Sequence, residues 1–257
     1  MVDKDILNTF QSISLQEMDT VKLMNRIDTK YVLNVDVLPK IFQKINDQYN
    51  LLEIDNKRIF SYNSLYYDTT DNFMYLAHHN GKLNRYKVRF RKYLVNDLCF
   101  LEIKYKNKGT RTIKHRTKIE GIETNLSEKS LKYINKFTPF TDHVLQPKIY
   151  TSFSRITLVS KALNERVTID LDLSFRANGT EKELGKVGII ELKRDAAVKN
   201  SHLLDTLLEF RIFPQGFSKY CIGRALIENE LKSNNFKEKI LKINKINNGN
   251  HNYRHIG

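Results

Sequence analysis

With 257 residues, 40% of them apolar, the chain can bury a sizeable core as one large domain or two small ones, and a globular protein is expected. Lys and Arg outnumber Asp and Glu by 43 to 29, a net +14 that favours polyanions such as nucleic acid, anionic lipid, phosphate chains or nucleotides. The opening MVDKDILNTFQSISL has no basic segment ahead of an apolar core, and no apolar run approaches the roughly 20 residues of a membrane span. Two cysteines, Cys99 and Cys221, make no disulfide framework. A cytoplasmic chain with idle, buried thiols is the expectation.

Strand patterns dominate in chain order. Residues 26–32 (RIDTKYV) alternate, with Arg26, Asp28 and Lys30 on one face and Ile27 and Tyr31 on the other. A helical pattern at about 34–48, capped at Asp36, precedes the aromatic-rich strand 60–67, and another helical pattern covers 70–78. Strands at 86–93, 98–106 and 110–119 follow one another directly. Ser127 caps a helix at 127–136, and strands return at 149–159, 165–173 and 187–194. Helices at 200–210 and 218–232, the second capped by Ser218, close the globular part. About eight mostly consecutive strands imply antiparallel pairing in an α+β protein. Residues 1–232 read as a single domain, and 233–257 as a basic, Asn-rich, partly disordered tail with one short helix.

The stretch RYKVRFRKY at 85–93 sets Lys87, Arg89 and Arg91 on one face and Val88 and Phe90 on the other. Five further strands repeat the pattern. Their charged faces are Arg26, Asp28 and Lys30; Glu102, Lys104 and Lys106; Lys114, Arg116 and Lys118; Arg166, Asp170 and Asp172; Glu191, Lys193 and Asp195. An ordinary wet-faced sheet accounts for any single strand. Six together favour a closed eight-stranded antiparallel barrel with a cationic lumen and helices outside, because desolvated cations need a partner or an anion. Arg offers forks to phosphate oxygens and Lys a point charge. Glu102 reads as a salt-bridge partner, whereas Glu191 and Asp170, with Asp172, could hold a hard divalent cation. No His/Cys cluster has zinc spacing, and no P-loop, dinucleotide fingerprint or G-x-S-x-G elbow occurs. Ser218 and Lys219, at a helix start, either face an anion or form a plain capping turn.

In order, RIDTKY, YYDTTDNFMY, YKVRFRKY, FLEIKYKNKGTRTIKHR, TIDLDL, IIELKRD and FSKYCIGRAL resemble the polyphosphate polymerase domain of the vacuolar transporter chaperone type, one of the triphosphate tunnel metalloenzymes. The resemblance spans about residues 20–230 and implies an eight-stranded tunnel barrel. It implies that Arg26, Lys30, Lys87, Arg89, Arg91, Lys104, Lys114, Arg116, Arg155 and Lys219 bind triphosphate or the growing chain, and that Glu191 ligates the metal, Mn or Mg. Lys193 and Ser218 join the substrate-binding set by their places beside Glu191 and Lys219. Where the superfamily opens with E-x-E-x-K, this chain has Arg26, Asp28 and Lys30, one acid fewer.

The expected activity is transfer of the terminal phosphoryl group of ATP to a growing polyphosphate chain. Hydrolysis of triphosphate in the same site is the alternative within the class, and a non-catalytic polyanion-binding module the alternative outside it. Nucleic acid is not an expected partner, since Phe90, Tyr105 and Phe175 fall on or near apolar faces instead of open stacking positions. A separate membrane protein is a conceivable partner that would place the chain at the inner face of a membrane.

Overall fold

A computed structural model describes residues 4–21, 26–107, 112–141 and 144–249. Two short helices, α1 (Lys4–Asn8) and α2 (Leu15–Asp19), flank the strand β1 (Gln11–Ile13). Then come β2 (Arg26–Asn34), α3 (Leu38–Ile45), β3 (Tyr49–Leu52), β4 (Phe60–Thr69) and α4 (Phe73–His79). β5 (Arg85–Tyr93), β6 (Cys99–Lys106) and β7 (Thr112–Ile119) form a meander, and α5 (Glu128–Phe137) separates it from the long strands β8 (Leu145–Ser160) and β9 (Glu165–Ala177). β10 (Thr180–Glu183), β11 (Val187–Asp195), α6 (His202–Glu209), α7 (Lys219–Ile227) and α8 (Lys237–Asn247) complete the order.

All eight strands expected from alternation are present, and β1, β3 and β10 are added. The capping serines act as read: Ser127 Oγ accepts from Ser130 N at 3.2 Å, and Ser218 Oγ from Cys221 N at 3.3 Å. Asp36 does not cap. Asn34 takes that role through Asp36 N at 2.9 Å, starting a 3₁₀ turn at Val35–Val37, and Pro39 opens α3, where its missing N–H costs nothing. The segment after residue 232 carries α8, whose Ile243 and Ile246 are buried with Phe236, while 250–257 lie outside the described residues.

The closed barrel is not formed. One sheet runs β2-β11-β9-β8-β4-β5-β6-β7, antiparallel throughout, and its end strands β2 and β7 do not pair. Alternation fixes which face is charged; it does not fix whether the two edges meet. The outer edge of β2 is met instead by the 214–215 segment, through a Tyr31–Pro214 bridge and a 2.7 Å bond from Gln215 N to Lys30 O. The outer edge of β7 has no strand partner among the described residues.

The open sheet is nonetheless curled. Glu191 of β11 acts electrostatically on Lys104 of β6, five strand steps along the path, which in a flat sheet would be about 24 Å. The convex side is the expected core: Val88, Phe90, Leu101, Ile103, Val167, Ile169, Leu171, Ile190 and Leu192 are buried. Helices α3 and α6 cover part of it, α4 and α5 another part. The exceptions lie on the end strands, where Ile27 and Ile113 are 43% and 42% exposed because helical cover stops at the edges.

Helix α7 lies on the other side, across one end of the concave face. Tyr220 stacks on Tyr66, and a Cβ at Gly223 would stand 2.5 Å from the Phe175 ring, so only glycine permits this approach. At that end the face turns apolar, with Val32, Ile149, Phe175 and Ile189 clustered with Phe217, Tyr220 and Ile222.

Candidate anion-binding face

Three carboxylates on the concave face each sit between two cations brought from separate positions. Glu191 accepts from Lys30 on one oxygen and from Lys193 on the other, the second at 2.6 Å. Asp170, 3% exposed, takes both arms of Arg155 at 2.6 and 3.0 Å and also the Lys219 ammonium. Glu102, fully buried, takes Arg89 Nε at 2.7 Å and Lys114. Burial alone would raise these carboxyls, but their paired cations outweigh it and hold all three well below the usual carboxylate range.

Beside them stand cations with no carboxylate partner among the described residues. Arg91 is 8% exposed, has only a long 3.4 Å contact to Ser64 Oγ, and lies over the rings of Tyr62 and Phe153 at 5.6 and 5.5 Å. Lys87 donates to Ser218 Oγ at 3.0 Å. Lys104 faces Lys87 on one neighbouring strand and Lys114 on the other. Burial followed by the charge of Arg89 depresses Arg91, and for Lys104 the Arg89 charge dominates, ahead of burial. Arg91 is buried and Lys87 and Lys104 are half-buried, and a buried charge without a counter-charge is costly.

The remaining sequence-derived residues lie at the rim. Arg26 is exposed and pairs with Asp28 at 2.9 Å. Arg116 is exposed and stacks over Phe100 at 5.1 Å. Lys114 and Lys193 face solvent on one side while pairing with Glu102 and Glu191. Asp172 does not share a face with Asp170: a bulge between β8 and β9 puts it in left-handed backbone at φ 50, exposed.

Two features escaped the sequence reading. Tyr62 and Phe153 stack at 5.2 Å and form an aromatic floor under Arg91, Arg155 and Lys219. A buried lock fixes α7 over the face: Asp68 accepts from Thr69 N, Met74 N and Tyr75 N, each at 2.8 Å, and from the Tyr220 hydroxyl. Arg224 bonds Tyr220 Oη at 3.0 Å, Asn72 Oδ1 at 2.9 Å and Glu228. The motif YYDTTDNFMY carried this signal through Asp68 and Asn72, whose side chains suit a strand-to-helix turn. The lock presents Ser218 to Lys87 and Lys219 to Asp170. Burial brings the Lys219 ammonium down to about 8 despite Asp170.

The described residues contain no group of three metal-ligating side chains. Glu191 is a single hard oxygen donor, and one carboxylate completed by phosphate oxygens is a set that Mg or Mn accepts. The residues therefore fit a metal brought in with the phosphate, and they do not form a preformed cage.

Fold and face together give one curled antiparallel sheet whose concave side is lined with cations. The chain belongs to the VTC domain family, which matches residues 25–228, so the resemblance read from its motifs holds. Among solved structures, the Vibrio parahaemolyticus protein described as an adenylate cyclase candidate is similar at 10% identity and TM-score 0.46, covering 78% of this chain and 99% of that one. HpAC1 from Hippeastrum, an adenylyl cyclase candidate described as showing a dominant triphosphatase activity, is 13% identical at TM-score 0.46, covering 80% and 100%. The PH1819 protein from Pyrococcus horikoshii is 13% identical at TM-score 0.44, covering 78% and 98%. No curated protein sequence matches the chain significantly. No helix among the described residues is long and apolar enough to cross a membrane.

Proposed function

We propose that the protein is a polyphosphate polymerase that transfers the terminal phosphoryl group of ATP to a phosphate chain lying along the concave face. The observation that supports this reading is the row Lys87, Arg91 and Lys104, one buried and two half-buried cations that form no salt bridge among the described residues. A phosphate chain repeats its charge at short intervals and supplies the missing partners along the row. Transfer between phosphates needs little covalent help from the protein: it needs aligned oxygens and neutralised charge. Arg155, Lys219, Lys30 and Lys193 are held in place by their acids and extend the grip. Glu191 would hold Mn or Mg together with phosphate oxygens, and the ion adds charge neutralisation there.

Transfer is favoured over hydrolysis because Glu102, Asp170 and Glu191 are each bonded to two cations that hold them well below the usual carboxylate range, which makes each a weak base toward water. A nucleic-acid module is disfavoured since Tyr62 and Phe153 stack on each other beneath guanidinium groups and offer no face to a base. Incubation of the purified protein with ATP and Mn or Mg, with products resolved by length on a gel, tests the reading. A ladder of phosphate chains supports it. Release of inorganic phosphate without chains rejects it in favour of hydrolysis.

A further inference from the structure

Among the cations of the concave face lies the Tyr66 hydroxyl, an uncharged polar group that the proposed reaction does not use. Tyr66, on β4, is 5% exposed, and its ring stacks on Tyr220 at 5.2 Å. Its hydroxyl oxygen accepts from Arg89 Nη1 at 2.9 Å.

We propose that Tyr66 is a further substrate contact, its hydroxyl donating to a non-bridging oxygen of the bound phosphate chain beside Arg89. The proposal rests on the reading of this face as the phosphate-chain site and adds to it a neutral donor. A phenol has one hydrogen to give, and with its oxygen engaged by Arg89 that hydrogen has no acceptor among the described residues. The charged groups facing the hydroxyl are Lys87, Arg89 and Arg91 of β5 and Lys219 of α7, all of which only donate. The acids within reach of its neighbours are already taken: Glu102 by Arg89 and Lys114, Asp68 by Tyr220. An incoming phosphate oxygen is thus the acceptor that completes the site. Burial would raise the phenol, but Arg89, Arg91 and Lys87 outweigh it and bring it below its ordinary value, which makes it a stronger donor to an anion.

Tyr66→Phe keeps the ring and its stack and removes only the hydroxyl. Calorimetric titration with tripolyphosphate at fixed salt and pH is expected to show binding weakened about 10- to 100-fold, the range for a hydrogen bond to a charged group. In parallel, loading the wild type with tripolyphosphate should red-shift a tyrosine band in the ultraviolet difference spectrum, as donation by a phenol does, and the shift should vanish in the variant. A tyrosine that merely orients Arg89 can weaken binding but gives no such band. If binding is unchanged in the variant, or if the wild-type band does not move on loading, the proposal falls and the phosphate-site reading stands. Should the variant fail to fold, the wild-type spectrum alone decides. A wild type that does not bind tripolyphosphate overturns both.

Discussion

Two regions of the concave face are both basic and differ in how their charge is balanced. On β2, β11, β9 and the facing part of β8, with the start of α7, Lys30, Lys193, Arg155 and Lys219 share Glu191 and Asp170. On β5, β6 and β7 Glu102 is shared by Arg89 and Lys114, and Lys87, Arg91 and Lys104 form no salt bridge among the described residues. A paired cation is held in one place with little electrostatic cost, whereas an unpaired one is costly until an anion arrives. The first region thus builds the site's shape, and the second supplies its attraction.

The sharpest way to break that distinction is to remove an acid from the balanced region. Asp170→Ala leaves Arg155 and Lys219 buried without a partner and is expected to cost about 3–5 kcal/mol of stability in denaturant titrations. A loss under about 1 kcal/mol would mean that water already balances this region. Arg91→Met, in the other region, should do the reverse. It leaves the ligand-free protein no less stable in the same titration and lowers turnover about 10²- to 10³-fold, the cost of one lost charge-stabilising group. Unfolding of this variant would make Arg91 a structural member of the aromatic floor.

Glu191→Gln sharpens the comparison, because Lys30 and Lys193 keep some solvent and lose only a hydrogen-bonded ion pair. Stability should fall by about 1 kcal/mol or less, while metal-dependent turnover drops at least about tenfold and ATP binding changes less. An unaltered metal requirement in steady-state assays would take Glu191 out of the metal's coordination.

The smallest effect is one of pH. Lys219 is lowered to about 8, so it loses its charge as pH rises through that value, and tripolyphosphate affinity should weaken over the same window by less than about tenfold. The three carboxylates act at the other end. Their folded values lie below the ordinary ones, so the stability they contribute is complete above the ordinary carboxylate range and is lost as pH falls below it. Affinity that stays flat through pH 8 would show that Asp170 keeps Lys219 charged.

Much of this was legible in the sequence because alternation is a local property. Val88 and Phe90 against Lys87, Arg89 and Arg91 can be read from five consecutive residues, and each lies on the face expected. Closure of the sheet is not local: it depends on whether β2 meets β7, and no residue in either strand records that. Register is equally hidden, so the pairing of Glu102 with Lys114, diagonal across β6 and β7, could not be foreseen. The bulge that turns Asp172 outward breaks the two-residue period itself. The role of Asp68 was invisible for another reason, since its partner Tyr220 lies 152 residues away.

The unpaired row at Lys87, Arg91 and Lys104 also bears on how long the protein survives. Empty, the fold carries the repulsion of that row; loaded at a hundred times the dissociation constant, it gains about 2.7 kcal/mol. Proteolysis draws on the unfolded fraction, which falls about a hundredfold with that gain. On the proposed reading, abundance would then follow the supply of phosphate chains, loaded molecules being spared and idle ones cleared with no dedicated sensor.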